Sequence, residues 1–193
     1  MNLAEEYLAQ LEAAYRGSDE WEEWLHFYHA SHGASAEDLA ALRSAYPDLP
    51  DSLADLLSLV DGSYFRDYGG EKFAVYMLGS DIPEYPYYLL SAAEMLADQT
   101  VIADTYDVFW EPDFRDVLDE RISDTLSGIR WLHFSDCMNN GGTSQLFIDF
   151  TPSPKGKKGQ IVRYLHDPDE FAVIADSFDD YLRDIMAARF DFI

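Results

Sequence analysis

His26, His29 and His32 fall three residues apart in "LHFYHASH", with Glu22 one turn ahead of His26. On a helix, Glu22, His26 and His29 would share a broad face, a donor set of the type that holds zinc. A metal bound there would make the chain a metal-dependent hydrolase. Histidines three or four apart are also common on ordinary helix surfaces, and no second cluster in the chain supplies further ligands.

Cys137 is the single thiol and lies in "DCMNNGGTSQLFIDF", residues 136–150. A nucleophile reading pairs it with His133. As strand residues the two would share one face, about 13 Å apart by rise per residue. No Lys or Arg falls between Trp131 and Phe150 to lower the thiol's pKa, so a buried, inert cysteine at a strand end fits better. The "NNGG" glycines suit a turn. A phosphate loop needs a helix directly after them, whereas Gln145, Phe147 and Asp149 alternate with Leu146, Ile148 and Phe150, as in a half-buried strand.

Carboxylates are the commonest chemistry in the chain: 37 Asp and Glu against 13 Lys and Arg, a formal charge of −24. Such a surface repels nucleic-acid phosphates and anionic membranes and attracts basic partners. Asp104, Asp107, Glu111, Asp113, Asp116, Asp119 and Glu120 form the densest run. It has no EF-hand spacing, and reads as a solvated helix face or a partner-facing patch. Against this, "TPSPKGKKGQ" holds three of the four lysines and reads as an exposed hairpin tip whose charge discourages strand-edge pairing. A single cysteine suits a reducing compartment. The opening "MNLAEEYLAQLEAAYRG" is acidic and amphipathic, unlike a secretory signal, and no apolar run approaches a membrane span. A soluble, cytoplasmic protein is the expectation.

The elements that must position these groups follow from periodicity. Leu3, Tyr7, Leu8, Leu11 and Tyr15 predict one helix, and Trp21, Trp24, Leu25 and Tyr28 a second. Ser35 with Asp38 opens a third. "LPDSLADLLSLVDG" predicts a fourth, with Pro50 in its first turn and Gly62 as its left-handed terminator. β-rich runs follow at residues 72–78 and 87–91, then a short helix in "SAAEMLADQ". Phe114, Val117, Leu118, Ile122 and Leu126 predict a further helix inside the acidic region. "IRWLHF", "SQLFIDF", "QIVRYLH" and "FAVIADS" predict strands, and Ser177 with Asp180 caps a last helix. The fold class is α+β: N-terminal helices, then a mostly antiparallel sheet of about five to six strands with helices on one side and a C-terminal helix.

The order of these pieces resembles the SUKH superfamily, in the branch named for the yeast Smi and Knr cell-wall-assembly regulators. The matching positions are Leu49–Pro50, Asp61–Gly62, Leu90–Ser91 with Glu94, Gly141–Gly142, Leu146 with Asp149, and Ser177–Phe178 with Tyr181–Leu182. The resemblance covers residues 35–187, leaving 1–34 as a helical extension of a single domain. It departs at Asn139-Asn140-Gly141-Gly142, where relatives often carry an acidic residue beside glycine, and in a longer 98–128 segment. The resemblance implies a binding module that is not an enzyme and has no cofactor or metal. Many bacterial relatives look like immunity proteins that neutralise a toxin domain encoded nearby, and fungal relatives act as regulatory scaffolds. It makes the expected partner a basic toxin domain occluded one-to-one, with a housekeeping scaffold as the alternative and the chain a monomer or weak homodimer. Candidate contact residues are Asp104, Asp107, Glu111, Asp113 and Asp136, the aromatic anchors Trp110 and Trp131, and the rim residues Asn139 and Asn140.

Overall fold

The computed structural model describes residues 1–138 and 143–193. Four helices open the chain: α1 (Leu3–Tyr15), α2 (Trp21–Ala30), α3 (Ala36–Ala45) and α4 (Asp51–Leu59). Polar caps fix the starts of α1 and α3. Asn2 and Glu5 close a reciprocal capping box on α1, and Ser35 accepts the Asp38 N–H on α3, as its sequence predicts. Pro50 is the N-cap of α4, one position ahead of the expected first turn.

A small hairpin follows, β1 (Arg66–Tyr68) with β2 (Glu71–Phe73), and then the main antiparallel sheet. Its order is β3 (Tyr88–Leu89), β4 (Trp131–Met138), β5 (Thr143–Asp149), β6 (Gln160–Leu165), β7 (Glu170–Ala175). Between β3 and β4 lie α5 (Ala92–Ala97), α6 (Val101–Thr105) and 3-10 turns at Asp107–Trp110 and Arg115–Val117. α7 (Phe178–Ala187) follows β7, its N-cap Ser177 accepting the Asp180 N–H. The α+β class and the strands after residue 129 are as expected.

The first face of the sheet carries the larger core. Leu132, Phe134, Leu146, Ile148 and Ile161 pack with Tyr7 and Leu11 of α1, Leu53 and Leu57 of α4, and Phe178 and Leu182 of α7. The expected strand at 72–78 forms only as far as Phe73. Beyond it Leu78 makes an isolated antiparallel bridge to Tyr87, while the carbonyls of Tyr76, Met77 and Gly79 find tyrosine hydroxyls. Tyr15 donates to the Tyr76 carbonyl at 2.7 Å, Tyr7 to Met77 at 2.6 Å and Tyr181 to Gly79 at 2.7 Å. Side chains from α1 and α7 thus satisfy a segment that a ladder would otherwise hold.

Candidate functional site

The second face of the sheet is covered by the acidic segment. Trp131, Phe147, Val162, Tyr164, Phe171 and Val173 form a separate core with Ile102, Tyr106, Trp110 and Ile122. Polar contacts pin this cover. Asp98 Oδ2 lies 2.8 Å from His133 Nδ1, and the Tyr106 hydroxyl donates to Gln145 Oε1. At the far end the Asp119 N–H donates to the Phe171 carbonyl at 2.9 Å, extending β7, and the Asp119 carboxylate accepts from Arg121 Nε and from Val173 N. The Arg121 hydrogen bonds hold the Asp119 carboxyl below the usual carboxylate range.

The helix expected from Phe114 to Leu126 is therefore absent. Asp119 accepts the Arg121 N–H and Ser123 the Thr125 N–H, two local turns that compete with helical bonding. Phe114, the first of the residues whose spacing predicts that helix, is 45% exposed. Trp110 and Trp131 are corrected as well. They pack edge to face at 5.9 Å inside the second core, 5% and 2% exposed, and are unavailable as surface anchors. Their burial leaves Asp104, Asp107, Glu111 and Asp113 on the solvent side of the cover, all exposed. Asp136 is half-buried on the same sheet face and accepts from Gln145 Nε2 at 3.0 Å. Asn139 and Asn140 lie outside the described residues.

The lysine tip is tied to three parts of the chain, the cover among them. Lys155 pairs with Glu120 at 2.6 Å, Lys157 with Asp176 at 2.5 Å and Lys158 with Asp48 at 2.6 Å, so its charge is spent internally.

The histidine set does not assemble. His26 turns to Glu71 at 3.2 Å, across to the small hairpin, while His32 packs edge-on against Tyr68. Among the described residues no group of three or more His, Cys, Asp or Glu side chains is placed to hold a metal ion. A bulge between His133 and Ser135 separates the other pair. His133 packs on Phe147 of the second core, while Cys137 joins the first, so they occupy opposite faces rather than the expected one. Burial, with Asp136 alongside, pushes the Cys137 thiol up to about 12, the inert state expected of it.

A second surface arises at the junction of α4, β3 and α5. Asp61 accepts the Ala92 N–H at 2.9 Å and pairs with Arg66 at 2.5 Å. Gly62, at φ +88°, passes so close to α5 that a Cβ would come within 2.7 Å of the Ser91 nitrogen. Ser63 exchanges hydrogen bonds with Leu89, and Ser91 with Glu94 forms a capping box on α5. This scaffold holds the next two residues outward. Phe65 is 48% exposed at φ +47°, and Tyr64, Tyr88 and Tyr76 continue from it as a row of rings, at centroid separations of 5.4, 5.3 and 4.6 Å.

The model of the SMI1 / KNR4 family (SUKH-1) matches residues 33–184. The chain belongs to that family. A comparison with curated proteins finds no match. The SUKH-1 motif residues now have physical roles: Asp61, Gly62, Ser91 and Glu94 build one junction, and Ser177, Phe178, Tyr181 and Leu182 cap and bury α7. Leu146 and Asp149 are both fully buried in β5. Asp149 accepts from Thr151 N at 2.7 Å and Gln160 Nε2 at 3.0 Å, yet burial raises its carboxyl to about 6. The aromatic row was missed from sequence. Its signal was there, in eight Tyr and Phe between residues 64 and 88, but only three-dimensional packing sorts Phe65 from core rings such as Phe73.

No helix among the described residues is long and apolar enough to cross a membrane.

Proposed function

We propose that this SUKH-1 chain is a non-enzymatic binding module that occludes a basic protein domain, a toxin, one-to-one. The observation that carries the reading is the solvent side of the cover. Asp104, Asp107, Glu111 and Asp113 project from a segment that Ile102, Tyr106, Trp110 and Ile122 anchor in the second core. A carboxylate array on a firmly seated platform suits a partner whose own groove is built for phosphate. Family membership supports a protein partner in general terms. Asp136 sits on the same sheet face and would extend the array toward the β4–β5 connection. We also read α1 and α2 as part of the same folding unit, because Tyr7, Leu11 and Trp24 share the core of α4 and α7.

The test is co-expression with the C-terminal domain of a toxin encoded beside this chain. Restored growth, together with a 1:1 complex on purification, supports the reading. Growth arrest that persists despite soluble expression of the chain overturns it.

A further inference from the structure

Between α2 and the row of rings lies a crevice of about 130 Å³, lined by Tyr15, Trp24, Tyr76 and Tyr88 with Glu20 and Glu23 at its rim. That is about four times the roughly 30 Å³ share of one water, the scale of a small planar head group. Both glutamates are exposed, and their negative charge reaches the Tyr15 hydroxyl at the crevice floor. Two cations flank the row and each has another partner: Arg66 pairs with Asp61 at 2.5 Å, and Arg16, next to Tyr15, pairs with Glu12 at 2.6 Å and lies over the Trp21 ring at 5.2 Å. Glu94 and Asp136 bring further negative charge beside Tyr64. The row thus ends in an aromatic crevice rimmed by Glu20 and Glu23, neither of which forms an ion pair among the described residues. Phe65 adds an independent sign, since a bulky residue at φ +47° is a strained conformation that the fold maintains at an exposed position.

We propose that this crevice takes an arginine side chain of the partner, its guanidinium plane against Tyr76 and Tyr88 and its charge met by Glu20 and Glu23. Phe65 and Tyr64 then cover the apolar stem and neighbouring backbone of the partner's loop. The guanidinium fits better than an ammonium because it is planar, weakly hydrated and stacks on rings while keeping in-plane donors for carboxylates. The inference rests on the basic-partner reading and adds a second, distinct contact: the cover attracts by long-range charge, and the crevice grips by shape.

The test adds acetyl-Gly-Arg-Gly-amide to the isotope-labelled full chain and follows backbone amide and aromatic ring signals, with lysine and citrulline peptides as the other arms. Expected are saturable shifts at Glu20, Glu23, Tyr76 and Tyr88 with arginine, weaker ones with lysine and none with citrulline. Tyr76→Ala should weaken arginine binding about two- to fivefold, and Glu20→Gln with Glu23→Gln, which leaves every ring in place, should weaken it as well. Equal shifts from arginine and citrulline, or arginine shifts confined to residues 104–124, would overturn the crevice assignment. The toxin complex separates the two readings: rescue of growth that is indifferent to both variants removes the crevice and leaves the basic partner, whereas absence of rescue by the unaltered chain removes the partner reading itself.

Discussion

The Asp61 carboxylate reaches the Ala92 N–H at 2.9 Å and Arg66 at 2.5 Å, tying the end of α4 to the start of α5 and to the small hairpin. Burial raises the Asp61 carboxyl, and the Ala92 and Arg66 contacts pull it back down. Asp61→Ala leaves a buried N–H without an acceptor and should cost about 1–3 kcal/mol, read as a lower urea midpoint at unchanged slope. Asp61→Asn keeps an acceptor for Ala92 and should recover part of the loss.

Gly62→Ala should be more costly than an ordinary exposed glycine replacement. The left-handed backbone alone costs about 1–2 kcal/mol for a residue with a Cβ, and here the Cβ would also press on backbone, 2.7 Å from the Ser91 nitrogen. Thermal unfolding should show a larger drop for Gly62→Ala than for Gly69→Ala, which is also left-handed but has nothing within 4 Å.

Much of this junction was legible from sequence as pattern but not as contact. Ser91 and Glu94 announce a helix start by spacing alone, and Ser35 and Ser177 do the same, because capping is local. The alternation in "SQLFIDF" gives a strand with one apolar face for the same reason. The cover was misread because Phe114, Val117, Leu118 and Ile122 have helical spacing. Their conformation is decided by Asp119 bonding to β7 across 54 residues, a competition invisible to a local window. The tryptophans were misassigned for a related reason: sequence cannot reveal that the sheet has a second core.

Asp149 should leave a signature in the pH dependence of stability. Its carboxyl is raised from 3.8 unfolded to about 6 folded, so over that interval the unfolded state releases its proton first. The contribution is fully present below about pH 4 and is lost as pH rises through about 6, by at most about 3 kcal/mol. Unfolding curves for Asp149→Asn against the parent should differ in slope within this window and run parallel above it. Identical slopes would mean that Asp149 is not buried as described.

Cys137 should be silent toward thiol reagents in the folded chain. With the thiol pushed up to about 12 and the side chain 1% exposed, Ellman's reagent should react negligibly under native conditions and release one equivalent in denaturant. Rapid native reaction would show that the end of β4 opens.

Neutralising the cover should alter encounter more than retention. The combined variant Asp104→Asn, Asp107→Asn, Glu111→Gln and Asp113→Asn alters only exposed side chains, so stability should change by about 0.5 kcal/mol or less per site. Its association rate with the basic partner should fall several-fold while dissociation changes little, measured by surface-immobilised binding kinetics.

The most direct measurement of the central claim is the association rate of the chain with that toxin domain as ionic strength rises from about 10 mM to about 1 M, over which the Debye length shrinks from roughly 30 Å to roughly 3 Å. Binding steered by the acidic cover predicts a fall of tenfold or more. A rate that stays flat across that range would contradict it.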